Sequence, residues 1–266
     1  MPLPSIISWQ KKFKNSMLDT SLLITIGTIL FICSTIQGAV GFAFNIFAIP
    51  LLIWSGLSLP VSITITSIPI FMQSLTSSYK LKEYIKWKEV AVGSILRYLG
   101  LPLGIFLLTL INGFNKDDIK QIVGIVILLI IVLQSFLKTK PVDKVGFLWT
   151  FIAFFSSGIF LGMISMGGPP VILWVMAHKW DALRIRAFLS ALFFIASPFL
   201  LLLLYYTFGH ELLKYFIVGL SFTPIVVIGT LIGVKLGNYL NHIVLKKIII
   251  FLLVATSLVS IFSPYL

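Results

Sequence analysis

The sequence predicts an all-α polytopic membrane protein built from two homologous halves. Three observations carry that expectation. The 266-residue chain is 59% hydrophobic and 11% charged, with a mean hydropathy of +1.09, whereas a soluble domain carries roughly 25% charged residues. Its apolar residues gather into eight runs, at about 21–54, 60–78, 90–112, 119–137, 146–177, 183–208, 212–238 and 243–262. Glycines and an asparagine also recur at fixed offsets. Gly38 is matched by Gly162 at 124 residues, while Gly100, Gly104 and Asn112 are matched by Gly229, Gly233 and Asn241 at 129 residues. Small residues four apart let membrane helices approach closely, so their recurrence in matched runs marks a tandem repeat.

Taken in order, residues 1–20 are polar and hold Lys11, Lys12 and Lys14 beside Trp9. They read as an interfacial segment rather than the start of a cleaved signal, because the run that follows has an internal counterpart. The first transmembrane repeat is expected at 21–137 and the second at 146–262, together forming one membrane domain. Six runs suit the roughly 20 residues that span hydrocarbon, but the first and fifth are too long. As one helix the first would reach about 51 Å at 1.5 Å per residue. Each long run carries a break: Gly38-Ala39-Val40-Gly41 in the first and Gly167-Gly168-Pro169-Pro170 in the fifth. Proline lacks an N–H and clashes with the preceding turn, and glycine loses the most entropy on becoming helical. Backbone freed at membrane depth is tolerated only where protein buries it or it lines a wet cavity.

The basic residues suggest how these breaks are used. If all eight runs simply crossed, the Lys and Arg outside the third run would divide 11 to 8 between the two sides. If both long runs are hairpins that return to the face they entered from, the division becomes 13 to 6. The second arrangement obeys the positive-inside rule better. It gives three full crossings per half, inverted halves, and both termini facing out, as in many secondary transporters. The same placement beside apolar runs explains the net charge of +12 as contact with anionic headgroups rather than nucleic acid.

Chemistry inside the membrane has few parts to draw on. All eight acids and all three histidines fall in loops or at run ends. Metal hydrolysis, aspartyl catalysis and a buried-carboxylate proton relay all lack their groups, so no enzyme, metal or cofactor is expected. Cys33, the single cysteine, excludes a disulfide framework and reads as a small apolar filler.

The candidate substrate-binding residues cluster at the breaks. Two prolines cannot continue a helix but suit the first turn of a new one. The half-helix after Gly167, Gly168, Pro169 and Pro170 would therefore present its positive dipole end inward, where an anionic group is favoured. Gly38, Gly41 and Asn45 form the matching half-site, with Gln37 and Ser165 as nearby polar groups. Arg97 is the one charge well inside a span. It is either an anion contact facing a cavity or a side chain snorkelling toward the basic face at Lys88, about 12 Å away along the helix. Gln73, Ser74, Thr76 and Ser77 make a polar end to the second run, suited to a hydrated helix terminus or an opening that lines the path.

The run from Gly162 through Gly167-Gly168-Pro169-Pro170 resembles the second-half motif of the TauE/SafE sulfite exporter family. Ser34 to Leu52 resembles its Gly-rich first-half motif, and Lys82-Glu-Tyr-Ile-Lys86-Trp87-Lys88 its connection after the second segment. The resemblance covers essentially the whole chain. It implies a multi-pass permease of a prokaryotic cell (inner) membrane that moves small anions such as sulfite, sulfonates or organic acids. It also implies that Gly38, Gly41, Gly167, Gly168, Pro169 and Pro170 shape the central site. One departure stands out. Where members often have three glycines in the first half, this chain has Phe42, Ala43 and Phe44, which narrows that side and argues against a small, fully hydrated oxyanion. The expected partners are a small anionic substrate and a bilayer with anionic headgroups, with no nucleic acid and no oligomeric state specified. The alternative is a non-transporting membrane scaffold or assembly protein whose breaks serve packing alone.

Overall fold

The computed structural model describes residues 19–40, 44–136, 145–239, 251 and 254–262, and every regular element among them is helical. Ten α-helices have defined bounds: α1 (Thr20–Val40), α2 (Phe44–Trp54), α3 (Leu59–Lys80), α4 (Trp87–Asn112), α5 (Lys116–Phe136), α6 (Phe147–Ile164), α7 (Gly168–Met176), α8 (Ala182–Phe208), α9 (Leu213–Ser221) and α10 (Thr223–Tyr239). A further helical stretch lies at 254–262. Residues 1–18 of the N-terminal segment and half of the eighth apolar run (243–250, 252 and 253) fall outside the described residues.

Local chemistry explains several helix ends. Asp181 caps α8 by accepting the Arg184 N–H at 3.1 Å, and Asn115 Oδ1 accepts the Asp118 N–H at the start of α5 at 2.8 Å. Each satisfies a donor that the first helical turn leaves free. Among the described residues five helices (α1, α3, α4, α6 and α8) are long and apolar enough to cross a membrane, and α9 with α10 makes a sixth, bent by 45°. The sequence reads that pair as one unbroken run, 212–238. Pro224 accounts for the bend, because it cannot donate to the Leu220 carbonyl and its ring clashes there.

The fifth apolar run is a helical hairpin. The Ser157 hydroxyl donates to the Gly167 carbonyl, a separation of ten residues. Further from the turn, Trp174 Nε1 donates to Thr150 Oγ1 at 2.9 Å across 24 residues. The widening separation means that α7 doubles back along α6. In the first half α2 likewise packs on α1, while the turn itself, residues 41–43, lies outside the described residues.

The helices pair across the chain: α1 with α10, α4 with α6, and α3 with α8. Glycine makes the first two crossings close. A Cβ on Gly104 would strike the Ile159 carbonyl, and one on Gly233 would strike that of Thr35. Likewise Gly162 abuts the Leu101 carbonyl and Gly38 that of Thr230. The offsets of 124 and 129 residues convert each contact of one crossing into its counterpart in the other. Side chains add polar links, with Gln73 Nε2 donating to Thr230 Oγ1 at 3.0 Å and the Tyr98 hydroxyl to the Ile195 carbonyl at 2.6 Å. Outward, α4 shows Ile95, Leu99, Leu103, Phe106 and Leu110 in a helical stripe, as a helix facing hydrocarbon on one side should. Ser94, Arg97, Leu101 and Gly104 lie on its buried side.

Candidate functional site

Residues flanking the two breaks meet at a cavity of about 90 Å³. At ≳ 10–15 Å³ per water, that is room for roughly half a dozen waters or one small polyatomic anion. Its wall draws on both halves: Gln37 from α1, Phe44 and Asn45 from α2, Ser67 and Ser74 from α3, Ser165 and Met166 from the hairpin turn, Gly168 and Pro169 from α7, and Phe193 and Ser197 from α8. Among the described residues no charged side chain lines it.

Asn45 and Ser165 join the two breaks directly. Ser165 ends α6 with φ 57° and ψ 22°, the one non-glycine residue with positive φ among those described. That left-handed turn frees its carbonyl, which accepts from Asn45 Nδ2 at 2.7 Å, while its hydroxyl oxygen accepts from the same nitrogen at 2.9 Å. The amide is thereby oriented, since a carbonyl can only accept. Asn45 Oδ1 is left buried without a donor among the described residues.

Arg97 sits behind the second break. It is fully buried, and its Nε, Nη1 and Nη2 have no hydrogen-bond partner among the described residues. The guanidinium carbon stands 5.2 Å from the centre of the Phe193 ring, and Nη2 lies where a Cβ on Gly167 would fall. Snorkelling is thereby overturned: the side chain turns toward the Gly167 turn instead of reaching for the basic face. The Ser94 hydroxyl, one turn earlier on α4, is also buried and has no hydrogen-bond partner among the described residues. Phe193, which neighbours the guanidinium, also lines the cavity.

The residues expected from the sequence divide into several groups. Asn45, Ser165, Gly168 and Pro169 line the cavity. Gly167 presses on Arg97, and Pro170 is partly buried in the first turn of α7. Gly38 instead serves the α1–α10 crossing, against the Thr230 backbone, while Gly41, Phe42 and Ala43 lie outside the described residues. Phe44 lines the cavity at 2% exposure. The polar end of α3 divides as well: Ser74 turns into the cavity, Gln73 bonds Thr230, and Thr76 remains exposed. Sequence reasoning missed Ser67, Ser197 and Phe193, none of which belongs to a break or a polar cluster.

Electrostatically, the α7 end offers less than a typical helix N-terminus. Pro169 and Pro170 have no N–H to present, so the dipole arrives with few donors. The guanidinium of Arg97, fully buried behind the turn, makes up the positive charge there, and a buried charge is weakly screened. No group of three or more His, Cys, Asp or Glu residues able to hold a metal occurs among the described residues.

A family model described as Sulfite exporter TauE/SafE matches residues 26–260. No curated protein and no solved structure matches the chain.

Proposed function

Because the chain belongs to the TauE/SafE sulfite exporter family of membrane anion transporters, we propose that it is a permease for a small organic or sulfur-containing anion, of the sulfite, sulfonate or carboxylate class, held at mid-membrane between the two breaks. The observation that carries this reading is Arg97, a fully buried cation with no hydrogen-bond partner among the described residues, set against the Gly167 turn. An arginine at the centre of a membrane helix costs about 2.5–3.5 kcal/mol even on insertion scales, and effective burial penalties reach several kcal/mol per ion. An arriving anion offsets that penalty. Gly167, Gly168, Pro169 and Pro170 shape one side of its site, and Asn45 with Ser165 the other.

The protein is multi-pass, with two repeats at 21–137 and 146–262 that we place in inverted orientation in the cell inner membrane. The pairing of α1 with α10 and of α4 with α6, at matched glycines, supports the repeat. The charge asymmetry of the loops supports the inversion.

A panel of small anions tested for thermal stabilisation of the purified protein checks the proposal. A ligand that binds only the folded state adds about 2.7 kcal/mol at 100 times its dissociation constant. At least one sulfur oxyanion, sulfonate or small carboxylate is expected to raise the melting temperature, whereas chloride at equal ionic strength is not. A flat response across the panel contradicts an anion site and favours the scaffold.

A further inference from the structure

The buried charge and the cavity are neighbours but are not joined. Arg97 is fully buried and is not part of the cavity wall. Phe193 belongs to both places. Its ring lines the cavity, its centre lies 5.2 Å from the guanidinium carbon, and its Cζ lies 3.7 Å from where a Cβ on Gly168 would stand. The Gly167 turn, also against Arg97, is braced. The Ser165 and Met166 N–H groups donate to the Leu161 and Phe160 carbonyls at 2.9 and 3.1 Å, and the Ser157 hydroxyl donates to the Gly167 carbonyl. By contrast α8 is loosened just after Phe193. Pro198, inside that helix, has no N–H to donate to the Phe194 carbonyl. Ser197 Oγ donates to the Phe193 carbonyl at 2.8 Å, a back-bond that often bends helices. Of the groups between cavity and charge, the ring is the readier to move.

The ring also accompanies the charge. An offset of 123 residues relates Ile70 to Phe193 and Ser74 to Ser197, all four on the cavity wall, and Phe71 to Phe194, whose rings stack at 5.5 Å. The offset of 129 that relates the glycines of α4 and α10 takes Arg97 to Val226. Arg97 and Phe193, across α4 and α8, therefore have Val226 and Ile70 as their counterparts, with neither charge nor ring.

We infer that Phe193 gates the approach of the anion to Arg97 and sets how large an anion is carried: its ring covers the guanidinium from the cavity and turns aside as the anionic group arrives. This rests on the transport reading above and adds a specificity-determining residue to it. An anion bearing an aryl group would need the space the ring fills, and overpacking a closed site is costly.

The test uses the full-length protein in proteoliposomes, with Phe193→Ala, Phe193→Leu and, as a control, Phe194→Ala, whose ring is not part of the cavity wall. 2,3-Butanedione modifies arginines, and peptide-resolved mass spectrometry reads Arg97 apart from Arg184 and Arg186. A group reached only through a minor state, populated at roughly 0.1–10%, reacts at least about tenfold more slowly than an open one. Arg97 is therefore expected to react at least about tenfold faster in Phe193→Ala than in the wild type, to be protected there by methanesulfonate, and to keep its wild-type rate in Phe194→Ala. In flux, the wild type is expected to carry methanesulfonate at least about tenfold faster than benzenesulfonate, and Phe193→Ala to narrow that preference to about threefold or less. Phe193→Leu is expected to fall between on both readouts, and carries the test alone if the alanine variant does not fold. Unchanged Arg97 reactivity in the Phe193 variants, an equal rise in Phe194→Ala, equal flux of both sulfonates in the wild type, or an unchanged preference in the variants overturns the inference while leaving anion transport standing. No protein-dependent flux of either sulfonate removes the transport reading, and this inference with it.

Discussion

Arg97→Met is expected to abolish anion transport while leaving the protein at least as stable as before. Met fills a similar volume with an unbranched, adaptable side chain and relieves the helix of a buried charge without a partner among the described residues. Replacing buried ionic groups by apolar ones of similar volume is often neutral or stabilising by about 1–4 kcal/mol. The Phe193 ring keeps a neighbour, so little cavity is opened. Flux should fall at least 100-fold, about 2.8 kcal/mol at 1.4 kcal/mol per decade, and the thermal shift given by anions should vanish. Arg97→Lys is expected to fall between the two, since an ammonium keeps the charge but not the planar fork. Proteoliposome flux and melting curves on the same preparations check all three proteins. Wild-type flux in Arg97→Met would reduce the residue to a packing element.

The second large effect is structural. Gly104→Ala and Gly233→Ala should each destabilise the protein by about 1–3 kcal/mol, the usual range for overpacking. The added methyl cannot be accommodated by turning a side chain, because it meets the backbone carbonyls of Ile159 and Thr35. One substitution forces α4 from α6 and the other forces α10 from α1. The two crossings share no partner, so the double variant should lose the sum of the two effects. Leu at either position is expected to leave no folded protein. Unfolding in detergent, followed by far-UV circular dichroism, measures the cost. A stable, fully folded Gly104→Leu would show that the crossing is not close-packed.

The helical class, the multi-pass membrane character and the family were legible because they rest on long-range features: composition, apolar run length and motif spacing. The hairpin of the fifth run was legible too, since Gly167-Gly168-Pro169-Pro170 cannot stay in one straight helix. What was not legible turns on which way a side chain points. When every face of a helix is apolar, hydrophobic periodicity does not say which serine faces a cavity, so Ser67 and Ser197 looked like any other membrane-helix serines. Gly38 shows a related ambiguity. A glycine that bends a chain and a glycine that admits a neighbouring backbone are identical in sequence, and here the Thr230 carbonyl decides for the second. Arg97 sits at a depth from which its long side chain could have reached the interface, and only packing shows that it turns inward. The bend between α9 and α10 was missed although Pro224 announces it, because the apolar run continues through it without interruption.

Among the described residues the acids lie in loops or at helix ends, Glu89 in the first turn of α4 included, and the transport reading proposed above takes the membrane potential as its driving force. Moving one negative charge outward across an inside-negative membrane is favoured by about 2.3 kcal/mol per 100 mV. The most direct measurement is therefore efflux of a labelled sulfonate from proteoliposomes under an imposed potential, with protein-free vesicles as the baseline. The account predicts protein-dependent efflux that accelerates as the interior is made more negative and stops in Arg97→Met. Efflux no faster than from protein-free vesicles, at any potential, would contradict it.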